Sequence, residues 1–107
     1  MTFLFNTSFH VNSEVESDFK AWARQTYIPA IIEAKIFERP VFLKVLTAAP
    51  DEDASVTYCI QMFSSRPQEA MAWLDGDAAK IRTVITSRHG HEKVLHFTSA
   101  MLVVADE

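Results

Sequence analysis

The spacing of the apolar residues changes along the chain in an order that few folds can accommodate. From Phe3 to Val11 apolar and polar residues alternate, which is typical of a half-buried strand with an aromatic face. From Val15 to Ala30 apolar residues recur every three or four positions, as in an amphipathic helix. A second helical pattern runs from Ser65 to His89. The remaining apolar runs predict three further strands: Val41–Thr47, Ser55–Ser64 and Val94–Val104.

Short motifs predict where the helices begin and end. The Ser13–Glu16 run has the S-x-x-E pattern of a capping box, and Ser65–Gln68 offers the same arrangement with an early proline. Pro29 lacks a backbone donor, so we expect it to kink or end the first helix. Gly90 follows two basic side chains and predicts a left-handed stop for the second helix.

The resulting order, β-α-β-β-α-β, predicts an α+β ferredoxin-like fold over residues 1–107 as a single domain. The polar run Pro50–Asp53 is expected to be the turn of a hairpin between the middle strands. Right-handed crossovers then place both helices on one face of a four-stranded antiparallel sheet.

The other face of this sheet does not look suited to water. If the Phe3 series faces the helices, several apolar side chains are left over for the second face. We expect these to be Leu4, Phe42, Leu46, Cys59 and Phe63. An exposed apolar patch of this size usually marks an interface, so the sequence predicts an isologous homodimer joined sheet to sheet.

Composition narrows the possible partners and location. The formal charge is -4 and the basic residues are scattered, which argues against binding to nucleic acid. A single cysteine, Cys59, allows no intrachain disulfide and favours a reducing cytoplasm. The N-terminus lacks the basic and apolar regions of a signal peptide, and no apolar run is long enough to cross a bilayer, so no membrane partner is expected.

A few polar residues on the first strand are candidates for a site. Asn6 and His10 lie on the same side of the strand, with Ser8 between them, and Gln61 and Lys44 are expected to join them on the interface face. One interpretation is a polar pocket inside the dimer in which a buried histidine acts as a general base. The other is a set of interfacial groups hydrogen-bonded across the two-fold axis, and the lack of a nucleophile–base–orienter pattern favours this one.

Two tryptophans could hold a planar ligand. Trp22 and Trp73 lie in the apolar stripes of the two helices, where a ligand or cofactor could stack on them. Large aromatic residues at helical spacing more often belong to the core, so no cofactor is predicted.

Metal binding is not expected either. His89 and His91 are close in sequence, but no third ligand stands at a suitable spacing, and cations that stabilise a helix end explain them. The Asp51–Asp53 run reads as a solvated turn.

A resemblance to a known family is carried by segments along most of the chain. They are Phe19–Trp22, Tyr27–Pro29, Ile36–Phe37, Phe42–Leu46, Thr57–Tyr58, Gln61–Phe63, Arg88–Gly90 and His96–Thr98. These segments resemble the family called domain of unknown function 4286, whose members are small bacterial cytoplasmic proteins. The resemblance implies a dimeric α/β barrel and carries over no catalytic residue, because the family has no assigned activity. Ala34-Lys35 departs from the family, since many members have a glycine near this helix end.

The chain also resembles a wider superfamily, which implies an alternative function. Antibiotic-biosynthesis monooxygenases and haem-degrading enzymes share this fold, and the haem-degrading branch uses a strand-one asparagine, a tryptophan and a helix-two histidine. Asn6 and Trp73 stand near the first two positions, but the histidine position falls near Thr83. The sequence therefore predicts a non-catalytic or small-molecule-binding dimeric domain, with a cofactor-free monooxygenase or haem-degrading enzyme as the alternative.

Overall fold

A computed structural model describes residues 1–46 and 55–104. The four strands form one sheet in the order β2-β3-β1-β4, and every neighbouring pair is antiparallel. This order confirms the predicted ferredoxin-like arrangement. The elements are β1 (Phe3–Asn12), α1 (Glu16–Trp22), α2 (Ile28–Ala34), β2 (Glu38–Lys44), β3 (Ser55–Ser64), α3 (Pro67–Asp75), α4 (Asp77–His89) and β4 (Val94–Leu102).

The core lies between the helices and one face of the sheet, as the alternation in β1 predicts. Phe5, Thr7, Phe9 and Val11 are fully buried. The ring of Phe9 lies within 6.2 Å, centroid to centroid, of three aromatic rings from the first helical segment. Burying such large rings removes several hundred Å² of apolar surface from water, worth roughly 25 cal/mol per Å².

The first helical segment contains a π-helical turn, Ala23–Tyr27, between α1 and α2. A π turn inserts an extra residue, so the buried face moves on by one position. Tyr27 and Ile31 are therefore fully buried, whereas the regular spacing had predicted Thr26 and Ala30.

Pro29 lies two positions after the end of the π turn and is accommodated in the first turn of α2. The helix does not end there; it continues to Ala34, and Lys35 closes it with φ 58° and ψ 29°. Lys35 thus adopts the left-handed conformation that favours glycine.

Neither predicted capping box forms as expected. The side chain of Asn12 accepts the backbone N–H of Glu14 at 2.9 Å and starts a short 3₁₀ turn. At the second helical segment, the hydroxyl of Ser64 accepts the backbone N–H of Arg66 at 3.0 Å. This segment is also broken at Gly76, so it forms two helices, α3 and α4, where the periodicity had predicted one. Gly90 ends α4 with φ 88°, which lies in the region that glycine alone adopts readily.

A β-bulge in β2 changes which of its side chains face the helices. Glu38 and Val41 are three positions apart on β2, whereas the residues that they pair with on β3 are only two positions apart. Arg39, within this irregular stretch, has a φ of 53°. The insertion flips the residues after it, so the predicted placement of Phe42 and Lys44 on the outer face is wrong. The ring of Phe42 instead packs 5.3 Å from the ring of the buried Tyr58.

The end of the predicted second strand was also placed incorrectly. Leu46 follows β2, outside the sheet, and is exposed. The expected turn Pro50–Asp53 and Thr47 lie outside the described residues.

Candidate functional site

The face of the sheet that points away from the helices is called the outer face here. The strand registers align its side chains in cross-strand rows, with apolar residues at both edges and polar residues nearer the middle. Its members are Leu4, Asn6, Ser8, His10, Val41, Leu43, Thr57, Cys59, Gln61, Phe63, Leu95, Phe97, Ser99 and Met101.

Asn6 lies in a polar row of this face, directly opposite Gln61 on one side and Ser99 on the other. Its amide nitrogen Nδ2 donates to the hydroxyl of Ser8 at 3.0 Å, and that hydroxyl contacts the thiol of Cys59 at 3.6 Å. The other amide atom, Asn6 Oδ1, is buried and accepts no hydrogen bond from the described residues. A polar group in this state weakens the isolated subunit.

His10 is held at the end of the outer face. Its Nδ1 lies 3.0 Å from the hydroxyl of Thr57, and its ring centroid lies 5.6 Å from that of Phe97. In the described part of the chain no carboxylate hydrogen-bonds this imidazole, so the Thr57–His10 pair lacks the third group that would orient a catalytic base.

Trp22 and Trp73 lie on the opposite side of the sheet, among the helices. Both stack on the ring of Tyr27, with centroid distances of 5.2 and 6.5 Å and interplanar angles of 12° and 15°. The indole nitrogen of Trp22 is buried and has no acceptor among the described residues. The structure therefore brings Asn6, His10 and Gln61 together on one face and separates them from Trp22 and Trp73.

Arg82 is a buried residue that the sequence analysis missed. It lies in the apolar stripe of α4, only 7% exposed, while Val84, predicted for that stripe, is 49% exposed. Its guanidinium donates to the hydroxyl of Tyr27 at 3.0 Å and to the carbonyl of Leu74 near the end of α3 at 2.9 Å. A charged residue four positions after the buried Ala78 was the signal available in the sequence.

His96 lies on the helix side of β4, where its ring centroid is 5.6 Å from that of Phe9. Burial lowers the pKa of this imidazole, and the positive charge of Arg82 and the proximity of His91 lower it further.

Lys44 belongs to a separate polar network on the helix side. Its ammonium lies 3.2 Å from a carboxylate oxygen of Glu16, and the hydroxyl of Tyr58 donates to the same oxygen at 2.5 Å. The bond from Tyr58, together with Lys44, lowers the pKa of Glu16. Burial, reinforced by the carboxylate, raises the pKa of Tyr58 to about 12. Tyr58 therefore stays protonated at neutral pH and acts as a fixed donor.

A surface cavity of about 360 Å³ lies at the rim of the outer face and is lined by His10, Asn12, Ser55, His91, Glu92 and Leu95. A smaller cavity, about 210 Å³, is formed by Arg66–Glu69 at the start of α3. Neither is lined by Asn6, Trp22 or Trp73. Within residues 1–46 and 55–104, no three His, Cys, Asp or Glu side chains converge to hold a metal ion, and no helix is both long and apolar enough to cross a membrane.

A family model described as "Domain of unknown function (DUF4286)" matches residues 2–104. No curated protein matches the sequence. A dimeric ferredoxin-like protein from an uncultured marine organism aligns with a TM-score of 0.70 and 15% identity, over 99% of this chain and 98% of its own.

Two further solved structures share the architecture. A protein from Bacillus cereus named as a candidate antibiotic-biosynthesis monooxygenase gives a TM-score of 0.60 at 11% identity, covering 99% of this chain and 96% of its own. An ethyl tert-butyl ether (EthD) family protein from Bacillus halodurans gives 0.61 at 9% identity, over 91% and 96%. At these identities the likeness establishes the fold alone.

Proposed function

This chain belongs to the DUF4286 family, and we propose that it acts as a homodimeric domain that binds a small molecule and performs no reaction of its own. The observation that carries the dimer is the outer face. Phe97 of β4 is 52% exposed, and Val41, Leu43 and Met101 extend the same apolar surface across the sheet. Isolated soluble domains rarely expose so large a contiguous patch.

The shape of the outer face suits a second copy of the chain. The sheet presents a regular array of side chains at both edges, and a two-fold related sheet presents the same array in return. The dimeric state in the name of the marine ferredoxin-like protein, which has the same fold, supports this choice of partner.

Two features support binding without chemistry. The imidazole of His10 is positioned by Thr57 but has no carboxylate behind it in the described part of the chain. The residues that would form a haem-degrading site, Asn6 and Trp73, lie on opposite faces of the sheet. The monooxygenase alternative therefore draws support from fold likeness alone.

The proposal includes a reducing cytoplasmic location in a bacterium. Cys59 lies on the outer face as a free thiol, and its Sγ is 3.6 Å from the hydroxyl of Ser8. A free thiol in a subunit interface is compatible with a reducing compartment.

Charge substitutions on the outer face test the interface. Leu43→Glu on β2 and Met101→Glu on β4 each place a carboxylate at one edge of the proposed contact, so size-exclusion chromatography should show a shift to a smaller species. Val84→Glu is the matched control, because Val84 is similarly exposed but lies on α4. The interface would be refuted if only the control variant dissociated, or if neither outer-face variant did.

A further inference from the structure

The residues that line the larger cavity favour one class of ligand. We propose that it binds a small organic cation, a primary amine with a short apolar portion, whose ammonium group pairs with Glu92 and hydrogen-bonds to one imidazole of the cavity wall, which contains His10 and His91. This inference rests on the proposed function as a binding domain and names the place and the ligand class. The cavity of about 360 Å³ falls within the usual size of small-molecule sites.

The carboxylate of Glu92 stands where a negative charge is unfavourable. It lies over Gly90, the residue that ends α4; a Cβ atom placed on Gly90 would be 2.7 Å from Glu92 Oε1. The carbonyl end of a helix carries the negative pole of its dipole, so a carboxylate there is destabilised unless a cation accompanies it.

The other basic side chains near Glu92 are bound to other carboxylates. Arg88 and His89, in the last turn of α4, both contact Oδ2 of Asp18, at 2.7 and 2.6 Å. Lys93, the neighbour of Glu92 in sequence, pairs with Glu14 at 3.0 Å. Among the described residues Glu92 takes part in no ion pair, which leaves its charge available to a ligand.

The rest of the wall complements an amine. Thr57 holds His10 by Nδ1, so the Nε2 side of the ring is the part available to a ligand. In the tautomer of His10 whose Nδ1–H donates to the Thr57 hydroxyl, Nε2 is unprotonated and accepts a hydrogen bond from an ammonium group. Leu95, which lines the same cavity and is half exposed, provides apolar contact for the carbon portion. An anionic ligand would instead meet Glu92 and the helix end, and both would repel it.

The lining also argues for an organic cation over a metal ion. His10, His91 and Glu92 are ligand types that zinc accepts, but among residues 1–46 and 55–104 no such trio is close enough together to coordinate one ion. An ammonium group needs only hydrogen-bond distance to one or two acceptors at a time and tolerates this wider spacing.

Three probes of similar size test the ligand class on the full chain. Benzylamine, benzyl alcohol and benzoate are titrated separately into ¹⁵N-labelled protein, and amide shifts are followed by NMR. We expect saturable shifts at residues 91–95 with benzylamine and much weaker or no response to the other two. Equal binding of benzoate or of benzyl alcohol, or no saturable response to benzylamine, would overturn the inference.

Variants assign the binding to this cavity. Glu92→Gln should weaken benzylamine binding about tenfold or more, since it removes the charge and keeps the shape. Glu69→Gln is the control, because Glu69 lines the other cavity and pairs with Arg66 at 2.8 Å. His10→Gln provides a second variant should Glu92→Gln fold poorly. If Glu92→Gln folds, or otherwise His10→Gln, and it binds benzylamine as tightly as the parent protein, the inference is overturned.

The result for the ligand site can be separated from the result for the proposed dimer. The mass of the protein in solution is measured on the same samples. A dimer that ignores benzylamine but binds benzyl alcohol or benzoate keeps the binding domain and refutes the ligand class, whereas a monomer that binds benzylamine keeps the site and refutes the dimer.

Discussion

Arg82 donates a hydrogen bond to the hydroxyl of Tyr27 across 3.0 Å of buried core, although 55 positions separate them in the chain. Tyr27 in turn stacks between Trp22 and Trp73. A second bond from Arg82 reaches the carbonyl of Leu74 near the end of α3, a group that the helix itself leaves unpaired. One guanidinium thus joins three helical segments.

The first prediction concerns this guanidinium. Arg82→Met should lower the free energy of unfolding by about 2–3 kcal/mol, because Tyr27 and Leu74 each lose a charged donor inside the core. Urea denaturation at fixed protein concentration measures the change. Lys80→Met, also on α4 but exposed, should stay within about 0.5 kcal/mol of the parent. Equal effects of the two substitutions would contradict the structural role of Arg82.

A second prediction follows from the left-handed conformation of Lys35. Lys35→Gly should raise the free energy of unfolding by about 0.5–1 kcal/mol, because glycine adopts φ 58° without the strain that a Cβ brings. Ala34→Gly, one position earlier and still helical, should lower it by a similar amount. Thermal unfolding of the pair checks the sign, and stabilisation by both or by neither would count against the helix end described here.

The third prediction concerns pH. The pKa of His96 is lowered in the folded state, first by burial and then by Arg82 and His91, while the unfolded value is near 6.5. The unfolded chain therefore binds more protons, and stability that is fully present above about pH 6.5 is lost as the pH falls through the folded pKa. His96→Gln should flatten the dependence of unfolding free energy on pH just below pH 6.5.

The acidic groups with lowered pKa values act at lower pH than His96. The bonds from Arg88 and His89 lower the pKa of Asp18, and those from Tyr58 and Lys44 lower the pKa of Glu16. Their stabilising effect is present above their ordinary values of 3.8 and 4.5 and is lost only as the pH falls below these. An unchanged slope just below pH 6.5 in His96→Gln would show that another group dominates there.

The fourth prediction addresses the enzymatic alternative. Haemin titrated into the purified protein should give no saturable shift of the Soret band, because Asn6 lies on the outer face and Trp73 packs against Tyr27 and Phe37 on the other side. A stoichiometric shift that disappears in Trp73→Ala would revive the haem-degrading interpretation.

The sequence predicted those elements in which local periodicity and tertiary structure agree. β3 runs from Ser55 to Ser64, as predicted, and its residues Tyr58, Ile60 and Met62 alternate into the core. Its neighbour β1 follows the same rule, so the separation of Asn6 and His10 from the helix side was visible in the sequence.

The errors arise where one extra residue changes the phase of a pattern. The π turn moves the buried face from Thr26 to Tyr27, and the bulge near Arg39 turns Phe42 toward the helices. An apolar periodicity of two residues in a strand, or of 3.6 residues in a helix, does not reveal such an insertion, because the insertion is stabilised by contacts with distant segments.

The candidate site was only partly predictable for a similar reason. Asn6, His10 and Gln61 share a face because strand alternation and pairing put them there. The cavity beside them depends on how Glu92, after the end of α4, meets the ends of β1 and β3. That meeting is a tertiary arrangement, and neighbouring residues in the sequence do not encode it.

The mass of the wild-type protein in solution tests the central claim most directly. Static light scattering at micromolar concentration should return twice the 12.1 kDa of one chain, because two outer faces cover each other. A mass near 12.1 kDa at that concentration would contradict the dimer and leave the apolar outer face without its proposed partner.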